Sequence, residues 1–239
     1  MERLDKVLSN LGYGSRKELK KTLKMGIVTV NGVVIKDSNA KVDPNEDTIF
    51  VGTEEVIYRE FIYLIMNKPD GVISATFDNR DETVVDLLSP EHQIFEPFPV
   101  GRLDKDTVGL LLLTNDGELN HKLISPKYGV NKIYFAHIND EITEADIKAF
   151  ETGITLGDGY KCLPGKLEIL ENLGDMAKVH ITIQEGKFHQ VKRMFEAREK
   201  KVTYLRRVKF GNIDIDESLE EGEYRELTQD ELNLLCRDF

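Results

Sequence analysis

Gly109 to Thr114 reads GLLLLT, a run with the length and polarity of a buried strand, and Asn115-Asp116-Gly117 ends it with a turn signal. The loop that leads into this strand carries Asp104 beside Arg102, Lys105 and Thr107. A loop held by a buried strand is a rigid mount, and such loops carry chemistry more often than their share of a chain suggests. Asp104 is therefore a candidate nucleophile; the alternative is an aspartate that only satisfies turn amides.

At 239 residues the chain has room for one large domain or for a small one plus a medium one, each with a proper core. Cys162 and Cys236 lie far apart and neither belongs to a C-x-x-C pair, which argues against a disulfide framework or a zinc site and fits a reducing cytoplasm. Met1 to Asn10 is charged and amphipathic, without the apolar core of a signal peptide, and no later run approaches a membrane span. The formal net charge of -11 argues against a polyanion partner only as a whole-chain average. Acid concentrates in Asp214 to Glu226 and around Glu46 to Glu55, whereas Ser15 to Lys24 and Lys187 to Lys209 are basic, and local fields decide where a polyanion could dock.

Leu4, Val7, Leu8 and Leu11 fall at helical spacing, with Gly12 as the stop. Ser15-x-x-Glu18 is a capping box that opens a second helix, SRKELKKTLK, terminated by Gly26. That helix carries Arg16, Lys17, Lys20, Lys21 and Lys24. Ile27 to Val30 and Val33 to Ile35 follow, joined by the hairpin signal Asn31-Gly32, and Thr48 to Val51 adds a further strand. The pieces RLDKVLSNLG, SRKELKK and GIVTVNG resemble the S4 RNA-binding domain. A basic helix alone is usually a solvated face; the resemblance favours one that displaces counterions from RNA phosphates and gives affinity with little sequence information. The polar stretch Glu54 to Glu60 marks the boundary, so the expected domains are 1–59 and 60–239.

In the second domain, Phe61 to Met66 reads as a strand broken by the turn residues Asn67 to Gly71. After the Asp104 loop come a helix at Glu118 to Ile124, a strand at Lys132 to Ile138 with Tyr134, Ala136 and Ile138 on one face, and a helix at Thr143 to Phe150. A strand at Val179 to Ile183 leads to EGKFHQVKRMF, which turns helical from His189 with Val191, Met194 and Phe195 inward. Val202 to Phe210 is a last long strand, and Thr228-x-x-Glu231 caps a final helix at Leu232 to Leu235. Gly159 to Lys166 has one residue too many between its glycines to be a phosphate loop.

The string GRLDKDTVGLLLLTNDGEL resembles the catalytic motif of the RNA pseudouridine synthases, in the branch typified by the bacterial small-subunit rRNA enzyme RsuA. NKPDG resembles the first motif of that family, and Lys132-Ile133-Tyr134 its K-x-Y motif. The resemblance implies that Asp104 is the catalytic residue, that Arg102 holds the RNA open, that Tyr134 lies against the target base and that Leu205 contacts the uracil. Lys192 takes the basic position that follows H-Q-V, near the catalytic aspartate; many relatives outside this branch carry arginine there, which could clamp a carboxylate with two hydrogen bonds where lysine offers a point charge. His189 receives no acid-base role.

The implied fold is α+β: a small N-terminal S4 (α-L-like) domain and a mixed, mainly antiparallel catalytic domain. The implied reaction detaches uracil from its ribose, turns it and rejoins it through C5, with no metal, nucleotide cofactor or net redox change. The implied partner is ribosomal RNA or a small-subunit ribonucleoprotein assembly intermediate, acted on by a cytoplasmic monomer with no membrane association. The motifs look closest to those of the enzyme for one uridine of 16S rRNA, uridine 516. Sister enzymes for 23S rRNA share most of them. A non-catalytic S4-domain assembly factor is disfavoured by the intact Asp104 motif, and a glycosidase-like hydrolase by the lack of a second carboxylate with a motif of its own.

Overall fold

The computed structural model describes residues 1–238. They form two compact units, residues 1–62 with 89–96, and residues 63–88 with 97–238. The segment Ser89–Glu96, which holds the short helix Pro90–Gln93, thus packs with the first unit although it lies within the span 60–239 expected for the second.

The first unit opens with α1 (Leu4–Asn10) and α2 (Arg16–Lys24). Gly12 takes φ 81° and lets the chain leave α1 sharply. The Ser15 side chain accepts from the Glu18 amide and the Glu18 carboxylate accepts from the Ser15 amide, so both halves of the capping box form. Leu19 and Leu23, one turn apart, are buried against Leu4, Val7, Leu8, Val28 and Ile49, while all five basic residues of α2 face solvent. A small sheet follows in the order β2 (Val33–Val34), β1 (Val28–Val30), β3 (Ile49–Val51), β4 (Glu54–Glu55). The β1–β2 turn sits at Asn31 and Gly32, both at positive φ, as a two-residue hairpin loop requires. Val56 is buried in this core, so the stretch read as a boundary is part of the unit, which runs on to Ile62.

In the second unit a mixed sheet runs in the order β8 (Lys166–Asn172), β9 (Ala177–Ile183), β7 (Lys132–Ile138), β10 (Val202–Phe210), β6 (Val108–Thr114), β5 (Tyr63–Lys68), β11 (Tyr224–Glu226). Neighbours along this path are antiparallel except β10 and β6. The helices are α3 (Gly117–Ile124), α4 (Glu144–Thr152), α5 (Gln190–Glu196) and α6 (Gln229–Leu235). All seven residues of β6 are buried, as its apolar run requires, and Leu110 and Leu112 pack with Leu119 and Leu123 of α3.

Two elements depart from the sequence reading. β5 continues through Asn67 and Lys68, whose residue types suggest the start of a turn; their side-chain donors are paired inside, Asn67 Nδ2 donating to Leu219 O and Lys68 Nζ to three carbonyls. β8 has no counterpart in the expected elements. Only Leu167 in it is buried, so its sequence lacks the alternation that marks a half-buried strand.

Candidate active site

Asp104 sits where β10 and β6 run parallel. Gly109 pairs in register with Arg207 at φ +100°, and a Cβ on it would lie 2.4 Å from the Arg207 carbonyl oxygen, so only glycine lets the strands close here. The loop before β6 is pinned from several sides. Lys68 Nζ donates to the carbonyls of Lys105 (3.2 Å) and Thr107 (2.9 Å), the Gly71 amide also donates to Lys105 O (3.0 Å), and Ser74 Oγ exchanges hydrogen bonds with the backbone of Leu103. Lys68 is fully buried, and that burial pushes its ammonium down to about 8 despite the opposing charges of Asp70, Asp106 and Asp104. A loop fixed at both ends in this way presents Asp104 with little freedom to lose on binding a substrate.

α5 supplies the partner of Asp104. Its buried face carries Val191, Met194 and Phe195, which turns Lys192 toward the loop. Lys192 Nζ lies 3.0 Å from Asp104 Oδ2 and 2.5 Å from Asp106 Oδ1, so one ammonium bridges two carboxylates. Desolvation opposes the charge on Lys192, but hydrogen bonds to Asp106 and Asp104 outweigh it and raise the ammonium above its ordinary value. Burial likewise pushes Asp106 up, and the Lys192 hydrogen bond and charge more than reverse this, leaving it below the usual carboxylate range. His189, at the start of α5 with φ 48°, places Nε2 3.7 Å from Asp104 Oδ1.

The side walls come from the sheet. Tyr134 and Leu205 are both buried and line a cleft of about 60 Å³ with Arg102, Asp104, Thr107 and His189. A second cavity of about 310 Å³ shares Arg102, Asp104 and Tyr134 and is bounded further by Lys132, Phe188, Arg207 and Phe210. Tyr134 and Arg207 are cross-strand partners, and Lys132 lies two residues before Tyr134 on the same face of β7. Arg207 is 2 % exposed; its Nε donates to Leu110 O at 2.7 Å, its guanidinium lies 4.9 Å from the Phe210 ring centre, and Tyr134 partly offsets the burial that lowers its affinity for its proton. Lys132 is pushed down to about 8 by burial, with Arg207 adding to the effect.

The structure thus brings Arg102, Asp104, Tyr134, Lys192 and Leu205 to one locality in the second unit. Arg102 is exposed and has no ion pair among the described residues. Arg16, Lys17, Lys20 and Lys21 belong to the other unit, on the exposed face of α2. Sequence reasoning named Lys68 and Lys132 only within the NKPDG and K-x-Y motifs, without a part in the site, and missed Arg207. For Arg207 a signal existed: strand alternation from Leu205 puts it on the same face. Asp116, a possible second carboxylate, caps α3 by accepting from the Leu119 amide and takes a hydrogen bond from the Tyr63 hydroxyl. Among the described residues no three of the histidines, cysteines, aspartates and glutamates converge as a metal site, and no helix is long and apolar enough to cross a membrane.

A single aspartate mounted at a strand end, faced by an aromatic wall and a lysine, on a chain whose second helix is basic, fits an enzyme that acts on RNA. The family comparison makes this specific. The RNA pseudouridylate synthase family matches residues 62–197, the span that carries Arg102, Asp104, Tyr134 and Lys192, and the S4 domain matches residues 2–47. The chain belongs to the RNA pseudouridylate synthase family, and it is an isomerase with an N-terminal S4 RNA-binding domain. It is 54% identical to the uncharacterized RNA pseudouridine synthase YtzG of Bacillus subtilis, over 98% of both chains. It is 41% identical to the ribosomal small subunit pseudouridine synthase A of Vibrio cholerae, over 96% of this chain and 97% of that one. Its identity to the ribosomal large subunit pseudouridine synthase B of Bacillus subtilis is 39%, over 98% and 96%. A crystal structure of a pseudouridylate synthase superposes with a TM-score of 0.68 at 36% identity, covering 99% of this chain and all of that one.

Proposed function

We propose that the enzyme converts one uridine of ribosomal RNA to pseudouridine, that its substrate is 16S rRNA, and that Asp104 starts the reaction. The observation that carries this is the placement of Asp104: 3.0 Å from the Lys192 ammonium, at a cleft whose walls include Tyr134 and Leu205. A duplex hides the glycosidic bond, so the uridine must leave the stack at a cost of a few kcal/mol. Arg102, exposed and without an ion pair among the described residues, can fill the vacated space. Tyr134 and Leu205 take the base between them, where stacking contributes roughly 1–3 kcal/mol.

Asp104 then either attacks C1′ or removes the proton that opens a glycal route. In both the C1′–N1 bond breaks with its electron pair on uracil, the base turns, and a C1′–C5 bond forms, displacing the Asp104 carboxylate from C1′ in the first route and with Asp104 returning its proton to C2′ in the second; the C5 proton is lost as N1 gains one. Lys192 holds the Asp104 carboxylate in place with one strong charged hydrogen bond. The exposed cations Arg16, Lys17, Lys20 and Lys21 of α2 bind RNA phosphates and position the enzyme without choosing the base.

The small-subunit reading is supported by the relatives of that name in Vibrio cholerae and Haemophilus influenzae, at 41% and 38% identity, while uridine 516 within it rests on the motif resemblance alone. The large-subunit relative at 39% supports 23S rRNA as a second reading. Incubating the protein with 16S and 23S transcripts separately and mapping pseudouridine tests both. Pseudouridine at a single 16S position is the expected result, and modification of 23S alone would replace the first reading by the second.

A further inference from the structure

Beside Asp104 there is an aromatic ring that the reaction described above does not use. Phe188 is 67 % exposed, and its ring stacks on that of His189 with centroids 3.8 Å apart and 18° between planes. One face of the phenyl ring is therefore covered, and its exposure falls on the opposite face and the edge. Single exposed apolar residues are ordinary on protein surfaces. Three features set this one apart. Phe188 lines the 310 Å³ cavity that it shares with Arg102, Asp104 and Tyr134. The stack is fixed to the machinery, since His189 lies 3.7 Å from Asp104 and holds a left-handed backbone that a non-glycine residue takes at a cost. Two cations adjoin it: Lys187 precedes it, and Arg193, which is ion-paired with Asp158, donates to the Phe188 carbonyl at 3.3 Å.

A flat apolar face flanked by Lys187 and Arg193 matches a strand that is anionic along its backbone and flat at its bases, which is how proteins hold single-stranded RNA. A phosphate alone would not need the ring, and an apolar peptide would not need the cations. Extruding a uridine also unstacks the base next to it, which needs a new partner close to the site. We propose that Phe188, backed by His189, is a stacking platform for the nucleobase adjacent to the uridine held at Asp104. The inference rests on the function proposed above and adds a contact that helps choose the local sequence or hold the strand open.

The test uses the full chain and an RNA fragment spanning the uridine located by mapping, with an abasic site placed on either side of it in turn. On intact RNA, Phe188→Leu is expected to weaken binding roughly five- to hundredfold, the equivalent of one stacked base at 1–3 kcal/mol, with Phe188→Tyr restoring it. On the RNA abasic at the stacked position, wild type and Phe188→Leu should bind alike. A 2-aminopurine at that position should be quenched by wild type and not by Phe188→Leu. Equal binding of intact RNA by wild type and Phe188→Leu would overturn the inference, as would an unchanged gap between them on both abasic RNAs. If the wild-type protein forms no pseudouridine in any RNA, the functional reading fails first and the inference falls with it. Turnover together with a silent Phe188 would sink the inference alone.

Discussion

Lys192 Nζ stands 3.0 Å from Asp104 Oδ2, and the same ammonium reaches Asp106 Oδ1 on the far side of the loop turn. Two carboxylates two residues apart thus share one cation. Opposite charges about 4 Å apart gain roughly 4 kcal/mol at an effective dielectric of 20, and desolvation of the partly buried Lys192 offsets much of that. The bridge therefore contributes more to geometry than to stability.

Lys192→Met leaves Asp104 and Asp106 facing each other without a cation. Activity should fall steeply and the acid limb of its pH profile should move to higher pH, because neighbouring carboxylates disfavour joint ionisation. Lys192→Arg should retain more activity than Lys192→Met. Rates measured across pH would tell, and a Lys192→Met enzyme with the wild-type rate and profile would show that Lys192 does not serve Asp104.

Asp106 makes the shorter contact to Lys192 but is the more exposed partner. Its side chain is 71% exposed against 25% for Asp104, so solvent screens its half of the bridge. Asp106→Asn is expected to keep activity within about tenfold of wild type, a loss of ~1.4 kcal/mol or less. Loss on the scale of Asp104→Asn would make the two carboxylates joint actors.

Stability should respond to pH through the buried lysines. Lys68 and Lys132 both sit at about 8, against about 10.4 for lysine in an unfolded chain. Between those values the unfolded chain binds more protons than the folded one, so stability rises with pH; the burial penalty is full below about 8 and relieved above about 10.4. Cys162, raised by burial to about 11, works in the opposite sense above its ordinary value near 9. The comparison of wild type with Lys132→Met isolates the lysine. Denaturant midpoints taken from about pH 7 to about pH 10 should shift in favour of wild type as pH rises, and a constant difference would remove Lys132 as the cause.

The four exposed cations at the start and middle of α2 give a salt-dependent term. Replacing Arg16, Lys17, Lys20 and Lys21 by glutamine should weaken RNA binding and reduce the slope of log K against log salt by roughly 0.7 to 0.9 for each RNA phosphate left without its cation. Binding titrations at several salt concentrations measure this. An unchanged slope would place the RNA elsewhere.

Much of the architecture was legible because its signals are local. The apolar run of β6, the capping boxes at Ser15 and Thr228, the alternation of β7 and the inward stripe of α5 each need only a few neighbouring residues. The gathering of Asp104, Tyr134 and Lys192 followed from motif resemblance, not from periodicity. The burial of Lys68 and Arg207 was not legible, because it depends on acceptors distant in sequence: Lys68 donates to carbonyls 37 and 39 residues away, and Arg207 Nε to one 97 residues away. β8 escaped for the opposite reason, an edge strand with too little burial to pattern its sequence.

The central claim is that Asp104 starts the isomerisation, and Asp104→Asn tests it most directly. The substitution removes the charge and keeps the shape. Pseudouridine mapped in rRNA after incubation with wild type and with a folded Asp104→Asn protein should show a modified uridine in the first case and none in the second, with RNA binding retained by both. Residual conversion near the wild-type rate, or release of free uracil in place of pseudouridine by the wild-type enzyme, would contradict the account.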